Sequence, residues 1–330
     1  MAKEQKSENA SSEAPNAPQP GLRNVKVMAD AIDPATGDIP SPPESVNWYL
    51  TPICNYLCVF CFFTMKGYKH LRPLPTGLFM PAEDARTMLR RLREAGTKKI
   101  TFVGGEPTLV PALATLVRWT YELGMTPMIV TNGTGLTEDL LDRLSPCLTD
   151  RARPGAIKLS LDSIHESVEK DLGRGHGNHL KHLHERARAI HARGIPLMLN
   201  VVVTARNWTE DMHYLMRELG PIARLKFLQV LRIHGQNDQQ WESLRVTAEQ
   251  FGAFTGCHSD LGAVVEDNET MTESYVMVDP LGRFFQNTDG RHHYGRPILE
   301  VGVMAALSDV VWNHEKFLTR GGRYEFRLEG

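Results

Sequence analysis

Cys54, Cys58 and Cys61 stand within eight residues of one another, in ICNYLCVFCF. The spacing is C-x3-C-x2-C, and no fourth cysteine or histidine lies nearby to complete a tetrahedral zinc cage. Structural zinc asks for four protein ligands, usually from two paired knuckles. Three thiolates on one loop suit instead a [4Fe–4S] cube with three irons held by the protein and the fourth left open. An open iron can take a small chelating molecule, which is a catalytic arrangement. Tyr56, Phe60, Phe62 and Phe63 lie in and just after the loop, where they would shield a cluster from water and tune its potential. Phe60 and Phe62 are the candidates among them for contact with a bound cofactor. On the triplet alone, zinc with a distant fourth ligand and plain buried thiols both stay open.

Downstream, in KKITFVGGEPTLVP, an apolar run from Ile100 to Val103 ends in Gly104-Gly105-Glu106-Pro107. This is a strand running into a turn, with two glycines that let the backbone come close to a ligand. Glu106 then sits at the strand's carboxyl end, where ligands bind in parallel α/β sheets. Together with the upstream cysteines, the motif resembles the radical S-adenosylmethionine (SAM) enzymes. The resemblance implies that the open iron chelates the amino and carboxylate groups of SAM and that Glu106 holds its amino group. Other residues at strand ends are of types that could serve SAM: Asn132 after Ile129-Val130-Thr131, Ser160, and Arg174 in Gly173-Arg174-Gly175. The glycines beside Arg174 would free its guanidinium to reach a carboxylate bidentately. Asp162 and Ser163 read as turn or cap residues, and Asn132-Gly133 is also a common turn dipeptide.

The elements that must position these groups alternate along the chain. A first strand opens at Val46–Leu50 and delivers the chain into the cysteine loop. Ala82, Ala85, Met88, Leu89 and Leu92 make a helix face that ends at Gly96. Strands follow over 99–103, 127–131, 156–161, 197–203 and 225–231, with helices between, notably 180–192 and 210–219. Six βα units predict a parallel sheet with right-handed crossovers, too short for a full barrel. The fold class is therefore α/β, a partial (β/α)6 TIM-like barrel of the radical SAM type with a C-terminal extension. Residues 1–45, rich in Ala, Ser, Pro, Asn and Glu, read as a disordered or surface-draped tail. Residues 46–232 read as the barrel and 233–330 as a C-terminal subregion that completes the site. In that subregion 274–278 and 283–286 flank Asp279-Pro280-Leu281-Gly282, a hairpin signal.

Composition excludes some function classes. A formal net charge of −2 over 330 residues argues against a general binder of nucleic acid or membrane surfaces. No apolar run reaches membrane-spanning length, and cytoplasm is the expected compartment. Cys147 and Cys257, left over from the triplet, are expected to be buried free thiols.

NYLCVFCFFTMK, TFVGGEPTL, LGRGHG, LKFLQVLRIHGQN, ESYVMVD and FLTRGGRYEF together resemble the viperin family and its prokaryotic members. The resemblance runs from about Val46 to Phe326. It implies conversion of a nucleoside triphosphate to its 3′-deoxy-3′,4′-didehydro form, a chain terminator used in antiviral defence. A 5′-deoxyadenosyl radical would take the ribose 4′ hydrogen, water would leave, and one more electron and proton would complete turnover. An external electron donor of flavodoxin or ferredoxin type is implied, with a monomeric enzyme that meets neither membrane nor nucleic acid.

A triphosphate needs local cations whatever the net charge. Lys66, Lys99, Lys226 and the Arg320-Gly321-Gly322-Arg323 segment are the candidates on chemistry. By resemblance, Lys99, Lys226 and the terminal segment match family phosphate contacts, and Asn200 and Gln229 match polar positions near the nucleotide. Tyr275 matches a tyrosine that relays the final hydrogen or proton. In an alternating strand it could equally be a packed core residue. His70, His292 and His293 read as loop residues. Met198 departs from the family, which often has lysine there, so one phosphate contact is lost or supplied elsewhere, with Arg206 and Arg232 as candidates. Val103 also departs, which leaves the base open among CTP, UTP and GTP. The rival readings are another radical SAM enzyme acting on a nucleotide or peptide, and a zinc-binding scaffold with no catalysis.

Overall fold

The structure is a computed structural model that describes residues 41–68 and 79–323. Most of the expected N-terminal tail, His70, and the chain beyond Arg323 lie outside those residues. Six strands, β1 (Ser45–Tyr49), β2 (Lys99–Val103), β3 (Thr126–Thr131), β4 (Ala156–Ser160), β5 (Leu197–Val203) and β6 (Arg224–Gln229), pair in parallel in chain order. They match the six predicted strands to within two residues at each end. The sheet then continues at both edges. β7 (Val264–Glu266) joins β6 in parallel, and β8 (Val276–Val278) joins the free side of β1, also in parallel. The predicted hairpin is present: β8 turns through Asp279–Gly282 into antiparallel β9 (Arg283–Thr288), which pairs with β10 (Arg291–Pro297). The order is β10-β9-β8-β1-β2-β3-β4-β5-β6-β7, and the sheet does not close.

Strand periodicity explains why the interior can hold a site. On β1, Val46 and Trp48 belong to the main hydrophobic core, while Ser45, Asn47 and Tyr49 line the interior cavity. On β2, Ile100 and Phe102 belong to the core, while Lys99, Thr101 and Val103 line the cavity. Successive side chains point to opposite faces, so one sequence serves two environments. A closed (β/α)8 barrel fills its interior with branched apolar layers. Here Met128, Ala156 and Met198 form only a small apolar cluster of their own. The helix Ala82–Glu94 buries the predicted face, Ala85, Met88, Leu89 and Leu92. Trp48 and Phe102, fully buried between sheet and helices, contribute on the order of 2–3 kcal/mol each.

Three expectations need correction. Helix 210–219 is shorter, His213–Glu218, because Glu210 is drawn back to accept hydrogen bonds from Ser163 Oγ and the Ile164 N–H. His292 and His293 are not in a loop but in β10. Cys147 is buried as expected, whereas Cys257, the last residue of the helix Ala248–Cys257, is exposed.

Candidate active site

The cysteine loop lies across the carboxyl ends of the strands and is gripped from two sides. On one side the Gly105 N–H donates to Thr51 O at 2.6 Å and the Glu106 N–H to Ile53 O at 2.8 Å. A Cβ on Gly105 would overlap the Ile53 carbonyl. The glycine pair therefore admits the backbone of the cysteine loop, where sequence alone suggested the approach of a ligand. On the other side the Leu57 N–H donates to Gly173 O at 3.2 Å and the Val59 N–H to Leu172 O at 2.9 Å. Gly173 has φ +76°, and a Cβ there would overlap the Leu57 carbonyl. Gly173 thus serves packing of the loop as well as the turn that presents Arg174.

Cys54, Cys58 and Cys61 are partly buried. Burial pushes the Cys54 thiol up to about 11 and raises Cys58 and Cys61 as well. Such thiols become thiolates when a metal takes the place of the proton. Among the described residues, groups of three metal-ligating atoms within 4.8 Å of one another do not include these cysteines. A single tetrahedral zinc would draw its sulfurs to roughly 3.8 Å, from its 2.3 Å bonds. Three thiolates on one loop are the donor set for a cluster with one open iron.

Glu106 is 1% exposed and its carboxylate is heavily anchored. Oε1 accepts from the Thr108 N–H (3.0 Å), Thr108 Oγ1 (2.6 Å) and Thr131 Oγ1 (2.6 Å), and Oε2 accepts from the Asn132 N–H (2.8 Å). Burial raises its pKa despite these bonds. Oε2, with one partner, retains capacity toward a cationic amine. The side chain of Asn132 is spent on the protein: Nδ2 donates to Asn55 Oδ1 at 2.9 Å and Oδ1 accepts from Thr134. It ties the cysteine loop to the end of β3. Arg174 is buried, with Nε bonded to Asp162 and 3.6 Å from Glu169, and its guanidinium carbon 5.5 Å from the Phe60 ring centroid. Asp162 is thus the partner that aims Arg174. The two Arg174 Nη groups make no hydrogen bond among the described residues, which leaves the fork for a carboxylate. Ser160 ends β4 directly beside Asn200 on β5.

Inside the barrel a cavity of about 260 Å³ extends from Phe60, Cys61 and Phe62 at the strand ends to Lys99, Lys158, Lys226, Arg320 and Gly322. Asn200, Gln229 and Tyr275 also line it. Both ends of the Gln229 amide are engaged, with Val246 O (3.3 Å) and the Asn268 N–H (3.1 Å), while Asn200 Oδ1 is buried without a partner. Tyr275 donates its hydroxyl to Glu266, which is 0% exposed, and receives Lys226 Nζ at 3.2 Å. Lys226 also bonds Glu266, and the guanidinium of Arg320 lies 3.6 Å from the Tyr275 ring centroid. Burial, partly opposed by Glu266, lowers Lys226 to about 8.

Other candidates lie elsewhere. Lys66 lines a second cleft together with Cys54, Cys58 and Cys61, and it donates to Gln236 O at 2.7 Å. Arg323 pairs with Glu44, and Gly321 does not line the cavity. Arg206 bonds Asp171 O, Gln240 and Ser243, and Arg232 pairs with Asp238, so neither replaces a cation in the cavity. Sequence reasoning missed Thr131, Lys158 and Glu266. For Lys158 a signal existed: a lone charge between Ile157 and Leu159 in a strand buried on both faces.

Residues 48–219 match the family model of the Radical SAM superfamily. Proteins named S-adenosylmethionine-dependent nucleotide dehydratase from Flammeovirga pacifica and Lacinutrix mariniflava are each 38% identical and matched over 86% of this chain. The match covers 96% of the first and 58% of the second, so the chain spans little more than half of the Lacinutrix protein. Streptococcus suis SuiB bound to S-adenosylmethionine superposes with a TM-score of 0.61 at 15% identity, over 91% of this chain and 72% of that one. Likeness at that identity speaks of the fold alone. From the family model and the relatives together, the chain belongs to the radical SAM superfamily and, within it, to the S-adenosylmethionine-dependent nucleotide dehydratases.

Proposed function

We propose that this enzyme dehydrates a ribonucleoside triphosphate, CTP or UTP first and GTP next, to its 3′-deoxy-3′,4′-didehydro analogue. The observation that carries this reading is one cavity with Cys61 at one end and Lys99, Lys158, Lys226 and Arg320 at the other. A polyphosphate held among those cations puts the attached ribose between them and the cysteine loop. Cys54, Cys58 and Cys61 would hold a [4Fe–4S] cluster, with SAM against Glu106, Arg174, Ser160, Phe60, Phe62 and the Gly104-Gly105 backbone, and Asn132 would position the cysteine loop and Glu106 around it. Bound together, these groups supply a 5′-deoxyadenosyl radical able to take the ribose 4′ hydrogen.

The chain's own part is to bind, orient and shield. The Arg174 fork suits a carboxylate and Glu106 Oε2 suits an ammonium. Tyr49, Phe60, Phe62 and Val103 line the reacting end with apolar surface and exclude water. After the 3′-hydroxyl leaves as water, one electron and one proton remain to be supplied. The Tyr275 hydroxyl, oriented by Glu266, can deliver them as a hydrogen atom, and an external donor of flavodoxin or ferredoxin type restores the tyrosine. Residues 46–232 act here as the radical-generating barrel, and 233–330 complete the nucleotide end through Glu266, Tyr275, Arg320 and Gly322. We read the enzyme as a cytoplasmic monomer whose product terminates viral RNA chains. No helix of the described residues is long and apolar enough to cross a membrane.

The test is an anaerobic incubation of the reduced, iron-loaded protein with SAM and each common ribonucleoside triphosphate, read by mass spectrometry. Loss of one water from a single nucleotide is the expected result. SAM cleavage that leaves every nucleotide unchanged would overturn the substrate assignment. Colourless protein carrying zinc in place of about four irons per chain would overturn the chemistry itself.

A further inference from the structure

Of the cations that line the cavity, three already have protein partners. Lys226 bonds Glu266 and Tyr275. Arg320 donates to Ser274 O at 3.1 Å, approaches Glu266 at 3.6 Å and stacks on Tyr275. Lys99 reaches Gly322 O at 3.5 Å. Lys158 is different: it is 7% exposed and makes no side-chain hydrogen bond or ion pair among the described residues. A buried ammonium without a counter-ion is costly, and the usual resolution is a partner or loss of the proton. Burial first, then repulsion from Lys226 and Arg224, lowers Lys158 to about 7 against an opposing pull from Glu266.

Its position is informative. In the parallel pairing of β4 and β5, Lys158 stands beside Met198, and Ser160 beside Asn200. Met198 is fully buried in the apolar cluster with Met128 and Ala156 and brings no charge to this side of the barrel. Asn200, one step further along the same face of β5, carries the unpartnered buried oxygen. The β4–β5 side of the cavity therefore holds an unsatisfied cation and an unsatisfied amide oxygen within one register step, and the partnered Lys226 follows on β6, in register with Asn200.

We propose that Lys158 binds the polyphosphate of the substrate directly, supplying from β4 the positive charge that β5 lacks at Met198. The inference rests on the triphosphate reading above. An incoming polyanion finds Lys158 with no protein bond to break, whereas Lys226 must share itself with Glu266. A charge-assisted contact of this kind changes affinity on the order of 10–100-fold when removed.

The test measures binding of inorganic tripolyphosphate, and separately of SAM, to the full chain by calorimetry. Lys158→Met should weaken tripolyphosphate on the order of 10–100-fold and leave SAM within about twofold. Lys158→Gln serves as a second variant, since it keeps a polar group should the methionine disturb folding. The exchange Lys158→Met/Met198→Lys returns a lysine to the neighbouring register position and should recover most of the affinity. Unchanged tripolyphosphate affinity in both single variants would overturn the role of Lys158. A double variant no better than Lys158→Met would overturn the exchange between strands. Wild-type protein that binds neither tripolyphosphate nor any nucleotide would instead sink the substrate reading on which the inference rests.

Discussion

The two ends of the barrel are built on opposite principles. At the carboxyl rim nearly every polar group that holds the cysteine loop is satisfied by protein: Glu106 takes bonds from Thr108, Thr131 and Asn132, and Asn132 clasps Asn55. Deeper inside, Lys226 and Arg320 share one buried carboxylate, Glu266, while burial and the neighbouring cations lower the proton affinity of Lys99, Lys158 and Lys226. The rim is preorganised by hydrogen bonds that need no ligand. The interior is electrostatically incomplete and gains most when an anion arrives. Changes at the rim should therefore act on cofactor binding and changes inside on substrate binding, with little crossing between them.

The largest expected effect is at the rim. Cys61→Ala removes one of three thiolates and should abolish iron loading and SAM cleavage, measured by iron content and by 5′-deoxyadenosine release. Cleavage at the wild-type rate would break the assignment of the loop. Gly105→Ala is expected to cost roughly 1–3 kcal/mol, because its methyl must displace the backbone of Ile53. Iron content should fall with it, while tripolyphosphate affinity stays within about threefold of wild type, as for a site at the other end of the barrel. An equal loss of both would show that the two ends do not act independently.

What was legible in the sequence divides along the same line. The cysteine spacing, the strand into Gly104-Gly105-Glu106 and the glycines around Arg174 are local patterns, so the rim could be placed without a structure. The reason for the glycines was not local. Only the fold brings Gly105 and Gly173 against the backbone of residues 53 to 58. The interior was harder. Lys99 and Lys226 could be named, but Lys158 and Glu266 gain meaning only through strand register and through β7, a three-residue strand too short to show a period. The eight parallel strands came as six because β7 is too short to show a period, and because β8, read as a hairpin strand, also pairs with β1, more than 200 residues earlier. Such pairing leaves no trace in a window of ordinary length.

Within the interior, Lys226→Ala leaves Glu266 buried and short of a counter-ion. Tripolyphosphate affinity should fall about 100-fold, SAM affinity should hold, and stability should drop by roughly 3–5 kcal/mol as for a broken buried pair. Lys226→Ala/Glu266→Gln should regain most of the stability, since the carboxylate left with only Arg320, 3.6 Å away, as its cation is gone. A double variant as unstable as the single would mean the pair is not the cause. Tyr275→Phe is expected to be narrower in effect. Deoxyadenosine release should continue while dehydrated product falls at least about tenfold, the mark of a lost terminal step. Equal loss of both would make Tyr275 a packing residue.

The smallest effect concerns stability alone and tests the electrostatic contrast without any ligand. Lys158 titrates near 7 in the folded protein against the ordinary 10.5. Between those values the unfolded chain binds more protons than the native one, so this lysine makes stability rise with pH across that window. Below about pH 7 its full burial cost is present. Lys158→Met removes the cost and should raise the melting temperature by a few degrees at pH 6.5, and by less at pH 9.5, where the native lysine has already shed its proton. Taking the difference between variant and wild type cancels the carboxylates elsewhere in the chain. A methionine variant that melts lower at both values would show that Lys158 is held by protein contacts. The interior would then be as self-sufficient as the rim.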